Sequence, residues 1–174
     1  MQQQTRRILM AREGAAVERC HTLPHHGSYS NGAHQYGCVM LYLELHPAPQ
    51  MRTVRAILAH DLGERWVGDN PAPAKWSMPH ELRDALVGLE DRCLSAMGQL
   101  WALDDEEARW LKAVDCLDLW LWGHEQIALG NLNAQVVIEN LNHYFEVRPG
   151  ILPQPIRDFI ADYHWFRTND EIPE

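Results

Sequence analysis

Apolar residues recur at intervals of three and four positions along most of the chain, which is the spacing of amphipathic helices. The apolar and polar alternation that is typical of strands is confined to short pieces. We therefore predict helices over six segments: 31–46, 50–67, 79–101, 104–129, 133–146 and 154–166. The pattern indicates an all-α protein of about six or seven helices, with residues 1–174 forming a single domain.

Glycine, proline and small polar residues mark the predicted breaks between these helices. Residues 19–31 form a loop on this criterion, and two prolines end the helix that follows it. Segment 68–75, GDNPAPAK, is expected to leave regular structure because its prolines lack a backbone donor and favour extended neighbours. Asp104 is a candidate N-cap, and Glu107 three residues later completes a capping-box pattern.

The composition is that of a globular domain with an acidic surface. The chain has 174 residues, of which 46% are hydrophobic, so it can bury a sizeable core without disulfides or structural zinc. Its 15 Lys and Arg against 24 Asp and Glu give a formal charge of -9, which argues against nucleic acid as a partner. A small phosphorylated substrate stays compatible, because a metal ion and a few basic side chains neutralise phosphate locally.

The cysteines and the N-terminal sequence favour a cytoplasmic protein. Cys38, Cys93 and Cys116 lie in predicted helices and are expected to be small core residues, and no pair has the C-x-x-C spacing. The N-terminus lacks the apolar region of a secretory signal, and no apolar run reaches the ~18 residues of a membrane span. We expect no membrane association.

Four polar residues interrupt the apolar faces of the predicted helices. His34 lies on one apolar face, the His60-Asp61 pair follows on the next helix, and Asp115 lies within WLKAVDCLDLWLW. A carboxylate that faces a core is costly unless it is paired or bound to a metal. Mixed nitrogen and oxygen donors suit Mn, Co, Fe, Zn or Ni better than Ca.

Spacing alone leaves two alternatives open. Asp118 has apolar neighbours of the same kind as Asp115, so either carboxylate could be the one that points inward. Each polar residue could also be a hydrogen-bonded core group without a ligand, which is the usual state of a buried histidine.

The order His34, His60-Asp61, Asp115 resembles that of HD-domain metal-dependent phosphohydrolases. The stretches GAHQYG, HDLGERWVGDNPAPAK and LKAVDCLDLWLWGHEQIALGN are similar to motifs of their 5'-deoxynucleotidase branch, the YfbR type. Chain length and the entry segment resemble the phage dATP triphosphohydrolases of DatZ type. The likeness covers residues from Arg19 to about Asn131, but Ala33 stands where that family usually has Glu.

The resemblance implies an HD-domain helical bundle with a metal centre. It assigns one divalent transition metal ion (Co, Mn, Zn, Fe or Ni) to His34, His60, Asp61 and Asp115, and an additional Mg²⁺ could accompany the substrate phosphates. Glu64 would accept a proton from the attacking water.

The same resemblance implies roles for residues around the metal. Asp69 would protonate the leaving oxygen, or it would only cap the proline-rich turn. Arg19 and Lys75 would bind phosphate. A flat base pocket is expected from flanking residues, namely Thr22, Pro73 and Trp76, although a Trp at a helix start more often packs in a core or interface.

The implied activity is hydrolysis of dATP to deoxyadenosine and triphosphate by attack of metal-bound water on the α-phosphate. The alternative is a 5'-deoxynucleotidase that hydrolyses deoxynucleoside monophosphates. A nucleotide-sensing module without turnover is a third possibility. The resembling families also imply a homo-oligomer, a dimer or a hexamer, and a phage-encoded chain would act in the host cytoplasm.

Overall fold

The computed structural model describes the backbone of residues 1–169 and the side chains of residues 1–164. It is an all-α fold, as the apolar spacing predicts, and no helix within the described residues is long and apolar enough to cross a membrane. Two short 3₁₀ helices at Leu62–Trp66 and Leu132–Ala134 accompany the α-helices. The described part of the chain forms eight α-helices: α1 (Gln2–Ala15), α2 (Asn31–Leu45), α3 (Met51–Ile57), α4 (Ala72–Ser77), α5 (His80–Met97), α6 (Asp105–Ala128), α7 (Gln135–Val147) and α8 (Gln154–Asn169).

The main core lies between α2 and α6, the two helices with the most extensive contact in the molecule. Apolar side chains from α3, α7 and α8 complete it, and its largest fully buried member is Trp120 on α6. The α2–α6 contact brings His34 and Asp115 against each other from opposite sides of the core.

A second, smaller core joins α1 and α5 to the chain that follows α3. It contains Met10, Ala59, Leu62, Cys93, Leu94 and Met97. Cys38, Cys93 and Cys116 are all buried free thiols, which confirms the expectation that they serve as core residues.

The prediction of one helix over 50–67 is wrong, because the α-helix ends at Ile57. Beyond it the chain turns and continues as a 3₁₀ helix, with bonds such as Leu62 N to the Ala59 carbonyl at 3.0 Å. This change of direction allows Ile57 to fill the main core while Ala59 and Leu62 fill the second one. The His60 ring places Nδ1 2.7 Å from the Ile57 carbonyl, an acceptor that the helix end leaves without its usual backbone donor.

The proline-rich segment also differs from the expectation for 68–75. Only its first part is irregular, because α4 begins at Ala72. Pro71 and Pro73 flank that start, and a proline in the first turn is tolerated because the N–H that it lacks has no intrahelical partner there.

Helix α1 was not predicted, and most of its residues are exposed. Only Met10 and Gly14 are buried. A Cβ added at Gly14 would lie 2.7 Å from the Leu62 carbonyl oxygen, so glycine allows the close approach of α1 to the second core.

The predicted capping box of α6 is present. The Asp104 side chain accepts from Glu107 N at 2.9 Å, and the Glu107 side chain accepts from Asp104 N at 3.0 Å. We expect Asp104→Ala to reduce the free energy of unfolding by about 1 kcal/mol, the usual value of an N-cap, and Asp104→Asn to reduce it far less. Urea unfolding monitored by circular dichroism measures both. Equal losses in the two variants would contradict a capping role.

Candidate metal and phosphate site

Three separate segments bring two imidazoles and two carboxylates together. His34 comes from α2, His60 and Asp61 from the turn after α3, and Asp115 from α6. His34 Nε2 lies 3.2 Å from Asp115 Oδ1 and 3.7 Å from Asp61 Oδ2. His60 Nε2 lies 3.2 Å from Asp61 Oδ2 and 3.9 Å from Asp115 Oδ1. The four side chains that the sequence singled out as ligands therefore face one point, which we call the HD cluster.

The donor set of this cluster fits a divalent transition metal. His60 Nε2 is buried and makes no well-aligned hydrogen bond within the described residues, although it faces two carboxylates. His34, His60 and Asp61 each offer an atom within 4.8 Å of the other two, the separation that a shared ion permits. Nitrogen and oxygen ligands in this ratio are typical of Zn, Mn, Fe, Co or Ni sites.

The electrostatics of the cluster are those of a compact group of opposite charges. Burial alone would lower the pKa of His60, but the charge of Asp61 and the interaction with Asp115 raise it to about 10. Burial likewise opposes ionisation of Asp61, yet His60 and then Arg19 hold its pKa below the ordinary range. At Asp115, Lys112 and the two imidazoles outweigh the effect of burial and hold the pKa well below its ordinary value. Both carboxylates are thus held ionised.

Arg19 lies directly beside the HD cluster. Its guanidinium is buried, and Nη1 donates both to Asp61 Oδ2 and, at 3.1 Å, to Asn31 Oδ1. Nη2 lies 3.9 Å from Asp115 Oδ1. The predicted phosphate-binding arginine is therefore within reach of the groups that would hold the metal.

Glu64 is buried within the 3₁₀ helix that follows the cluster. Asn31 Nδ2 donates to Glu64 Oε2 at 2.9 Å and to the Asp61 carbonyl at 3.1 Å, so one amide connects the carboxylate to the cluster. Lys75 Nζ lies 3.8 Å from Glu64 Oε1. Burial, and then the charge of Asp61, raises the pKa of Glu64 to about 7. A carboxylate with this pKa can take up and release a proton near neutrality.

Asp69 contacts the loop that carries Arg19. Its Oδ2 accepts from Cys20 N at 3.0 Å and lies 3.9 Å from His21 Nδ1. Cys20 has a φ of 52°, the left-handed region that side chains other than glycine rarely adopt. The Asp69 carboxylate thus holds the Arg19 loop in place through the Cys20 amide. The spacing of residues within the proline-rich turn did not indicate this contact.

The three residues expected to form a base pocket lie on the surface. Thr22 and Pro73 are exposed, and Trp76 is 60% exposed, so Trp76 does not belong to the core of the chain. They occupy the loop and the helix α4 that also carry Arg19 and Lys75. The structure places them on segments that border the cluster rather than within it.

The loop at 20–28 is attached to the end of α6. Gln126 Oε1 accepts from His26 N at 2.8 Å, and Gln126 Nε2 donates to the His26 carbonyl at 3.0 Å. Asn131 Nδ2 donates to the Pro24 carbonyl at 3.0 Å. These two amides were not assigned a role from the sequence, although Asn131 closes one of the stretches that carry the family resemblance.

The sequence left open whether Asp115 or Asp118 of α6 points inward. In the structure both aspartates contact His34, one at each ring nitrogen. Asp115 lies at Nε2 with the cluster, whereas Asp118 Oδ2 lies 2.7 Å from Nδ1 on the opposite side of the ring. Lys112 Nζ donates to Asp115 Oδ2 at 2.8 Å. Neither Lys112 nor the contact of Asp118 with His34 was predicted. Lys112 and Asp115 are three residues apart on α6, a helical spacing that could have indicated their ion pair. The contact of Asp118 with His34 joins two helices and leaves no local spacing signal.

The arrangement of helices is similar to that of two solved structures. The sequence matches no protein-family model and, at a significant level, no curated protein. Among solved structures, the chain is similar to the cyanophage S-2L HD phosphohydrolase DatZ, whose structure holds dA and one catalytic Zn²⁺ ion. The TM-score is 0.64 at 16% identity, over 92% of this chain and 94% of that one.

A conserved hypothetical protein from Pyrococcus furiosus is also similar. Its TM-score is 0.60 at 18% identity, over 84% of this chain and 98% of that one. The two likenesses extend over nearly the full length of both neighbours, and they show that the chain shares the fold of the HD phosphohydrolase DatZ.

Proposed function

We propose that the protein is a metal-dependent phosphohydrolase of deoxynucleotides. The observation that carries this proposal is the convergence of His34, His60, Asp61 and Asp115 on one point, with Glu64 buried beside them. These four side chains would hold one divalent transition metal ion. When bound, such an ion activates a water molecule near neutral pH and neutralises phosphate charge.

Residues around the HD cluster are proposed to transfer protons and to bind phosphate. Glu64 accepts the proton of the attacking water, for which its pKa of about 7 is suited. The Arg19 guanidinium offers a planar fork for phosphate oxygens, and Lys75 adds a point charge beside Glu64. Asp69 keeps the Arg19 loop in position through the Cys20 amide and is the candidate that protonates the leaving oxygen.

The substrate that we favour is dATP, cleaved at the α-phosphate to deoxyadenosine and triphosphate. The fold neighbour DatZ holds a deoxynucleoside and a catalytic zinc, which supports a deoxynucleotide and a transition metal here. The runner-up is a deoxynucleoside monophosphate, since the YfbR-type motifs belong to 5'-deoxynucleotidases and the same cluster would serve either reaction. Thr22, Pro73 and Trp76 are proposed to contact the base.

One assay separates the two substrates. Purified protein is incubated with dATP or dAMP in Mn²⁺, Co²⁺ or Zn²⁺, and the phosphate products are separated by ion chromatography. Triphosphate from dATP supports the first activity, and orthophosphate from dAMP supports the second. Consumption of neither substrate by protein that binds metal would contradict both and leave a nucleotide-binding module without turnover.

Arg19→Ala tests the phosphate contacts. Because a hydrogen bond to a charged group contributes about 1.5–3 kcal/mol, we expect KM to rise by roughly 10–100-fold with a smaller change in kcat. Initial rates at saturating metal measure this, and Arg6→Ala on exposed α1 is the matched control. An unchanged KM would exclude Arg19 from substrate binding.

We also propose that the chain forms a homo-oligomer, a dimer or a hexamer. Tyr36, Met40 and Leu43 form an apolar strip on the outer face of α2 and are 65%, 39% and 43% exposed. Large exposed apolar side chains in a row are typical of subunit contacts. Light scattering gives the mass in solution.

A further inference from the structure

Two residues outside the HD cluster, Tyr29 and Asp118, contact His34 at Nδ1, the ring nitrogen that does not face the cluster. Its ring is fully buried, and Asp118 Oδ2 lies 2.7 Å from Nδ1. The Tyr29 hydroxyl donates to the same Asp118 oxygen at 2.7 Å and lies 3.0 Å from Nδ1. The imidazole therefore contacts the cluster with one nitrogen and this pair with the other.

The hydrogen-bond chemistry of the pair places a proton on Nδ1 of the imidazole. An ionised carboxylate only accepts hydrogen bonds, so the proton between Asp118 and His34 belongs to Nδ1. With Nδ1 protonated, a neutral ring has its lone pair on Nε2, the nitrogen that faces Asp61 and Asp115. This is the tautomer that a metal ligand needs.

The packing around the pair leaves little freedom to move. The Tyr29 ring stacks on Trp122 of α6, with centroids 5.0 Å apart and an interplanar angle of 13°. A Cβ added at Gly37, one turn after His34, would lie 1.9 Å from Asp118 Oδ1. The close contact of α2 with α6 thus has room for the Asp118 carboxylate only because residue 37 has no side chain.

We propose that Asp118 and Tyr29 are positioning residues that hold His34 in the Nδ1–H tautomer and aim Nε2 at the metal. This inference rests on the proposed metal centre. It makes metal affinity depend on a carboxylate that does not itself face the ion. Partners of this kind typically change metal affinity by roughly 10–100-fold when they are removed.

The test compares Zn²⁺ affinity, measured by competition with a chromophoric chelator, in wild type, Asp118→Asn and Tyr29→Phe. We expect Asp118→Asn to raise the Kd by roughly 10–100-fold. Tyr29→Phe keeps the stacked ring and is expected to have a smaller effect in the same direction. Asp105→Asn, an exposed carboxylate on the same helix, is the matched control for the loss of one charge and should leave the Kd unchanged.

Two further readouts separate positioning from general structural damage. In zinc-loaded wild type labelled with ¹⁵N-histidine, the His34 proton should be found on Nδ1. Excess metal should restore most of the kcat of Asp118→Asn, which a misfolded site would not allow. Wild-type Zn²⁺ affinity in both variants, or a His34 proton on Nε2, overturns the positioning role alone. A wild-type protein that binds no metal overturns this inference together with the proposed function.

Discussion

Asp61→Ala is expected to abolish both metal binding and hydrolysis. Asp61 contacts His34, His60 and Arg19, with Oδ2 3.7 and 3.2 Å from the two imidazoles and paired with Arg19 Nη1. Its removal deletes a ligand and half of the negative charge that balances the cation. Metal analysis after dialysis should therefore fall from about one ion per chain to background, and turnover should fall with it.

The control for this experiment is Asp84→Ala, which removes an exposed carboxylate from α5. It should retain full metal content and activity. Metal bound normally by Asp61→Ala would show that the HD cluster is not the metal centre, and the proposed chemistry would have no site. Circular dichroism of both variants confirms that the helices are intact.

Glu64→Gln is expected to keep the metal and lose most of the rate. Gln has the same shape and retains an oxygen that can accept from Asn31 Nδ2, the contact that positions Glu64 at 2.9 Å. It cannot accept a proton from water, so kcat should decrease by about 10²–10⁴-fold, the usual contribution of a general base. Glu44→Gln, exposed on α2, is the matched control.

The outcome also tests whether Glu64 acts as the base while Asp61 acts as a metal ligand. If Glu64→Gln loses metal, then Glu64 is a ligand and the base lies elsewhere. If its kcat equals that of wild type, then Glu64 takes no part in proton transfer. The two measurements needed are metal content and kcat at saturating substrate.

Because the pKa of Glu64 is raised, the stability difference between Glu64→Gln and wild type should depend on pH in metal-free protein. The folded carboxyl has a pKa of about 7 against the ordinary value of 4.5, so the folded state binds this proton more tightly than the unfolded state. Stability contributed by Glu64 therefore decreases as pH rises from the ordinary value to about 7. Glu64→Gln should gain stability relative to wild type over this interval in thermal unfolding. A constant difference across the interval would contradict the shift.

The sequence predicted the helical class of the fold well, because amphipathic spacing and capping are local. The helix over 104–129 corresponds to α6, and its capping box lies at the predicted residues. The failures occurred where tertiary contacts override local pattern. The helix over 50–67 ends at Ile57 because the chain must supply two cores, and polar α1 forms against the second core despite its weak pattern.

In the candidate site, too, local pattern identified some residues and only tertiary contacts identified the others. The cost of polar residues on apolar faces singled out His34, His60-Asp61 and one of the α6 aspartates, and the family resemblance selected Asp115. The structure brings these four together. The roles of Asp118 and Tyr29 could not be chosen in this way. Their contacts join residues 84 and 89 positions apart along the chain, so no periodicity records them.

The sequence by itself determined that the chain forms amphipathic helices and that a few histidines and carboxylates interrupt the apolar pattern. Only the tertiary structure decided that Asp115 faces the cluster while Asp118 faces the back of His34. The physical reason is that burial energy acts residue by residue along a helix, whereas the orientation of an imidazole depends on which groups of other helices reach each of its nitrogens.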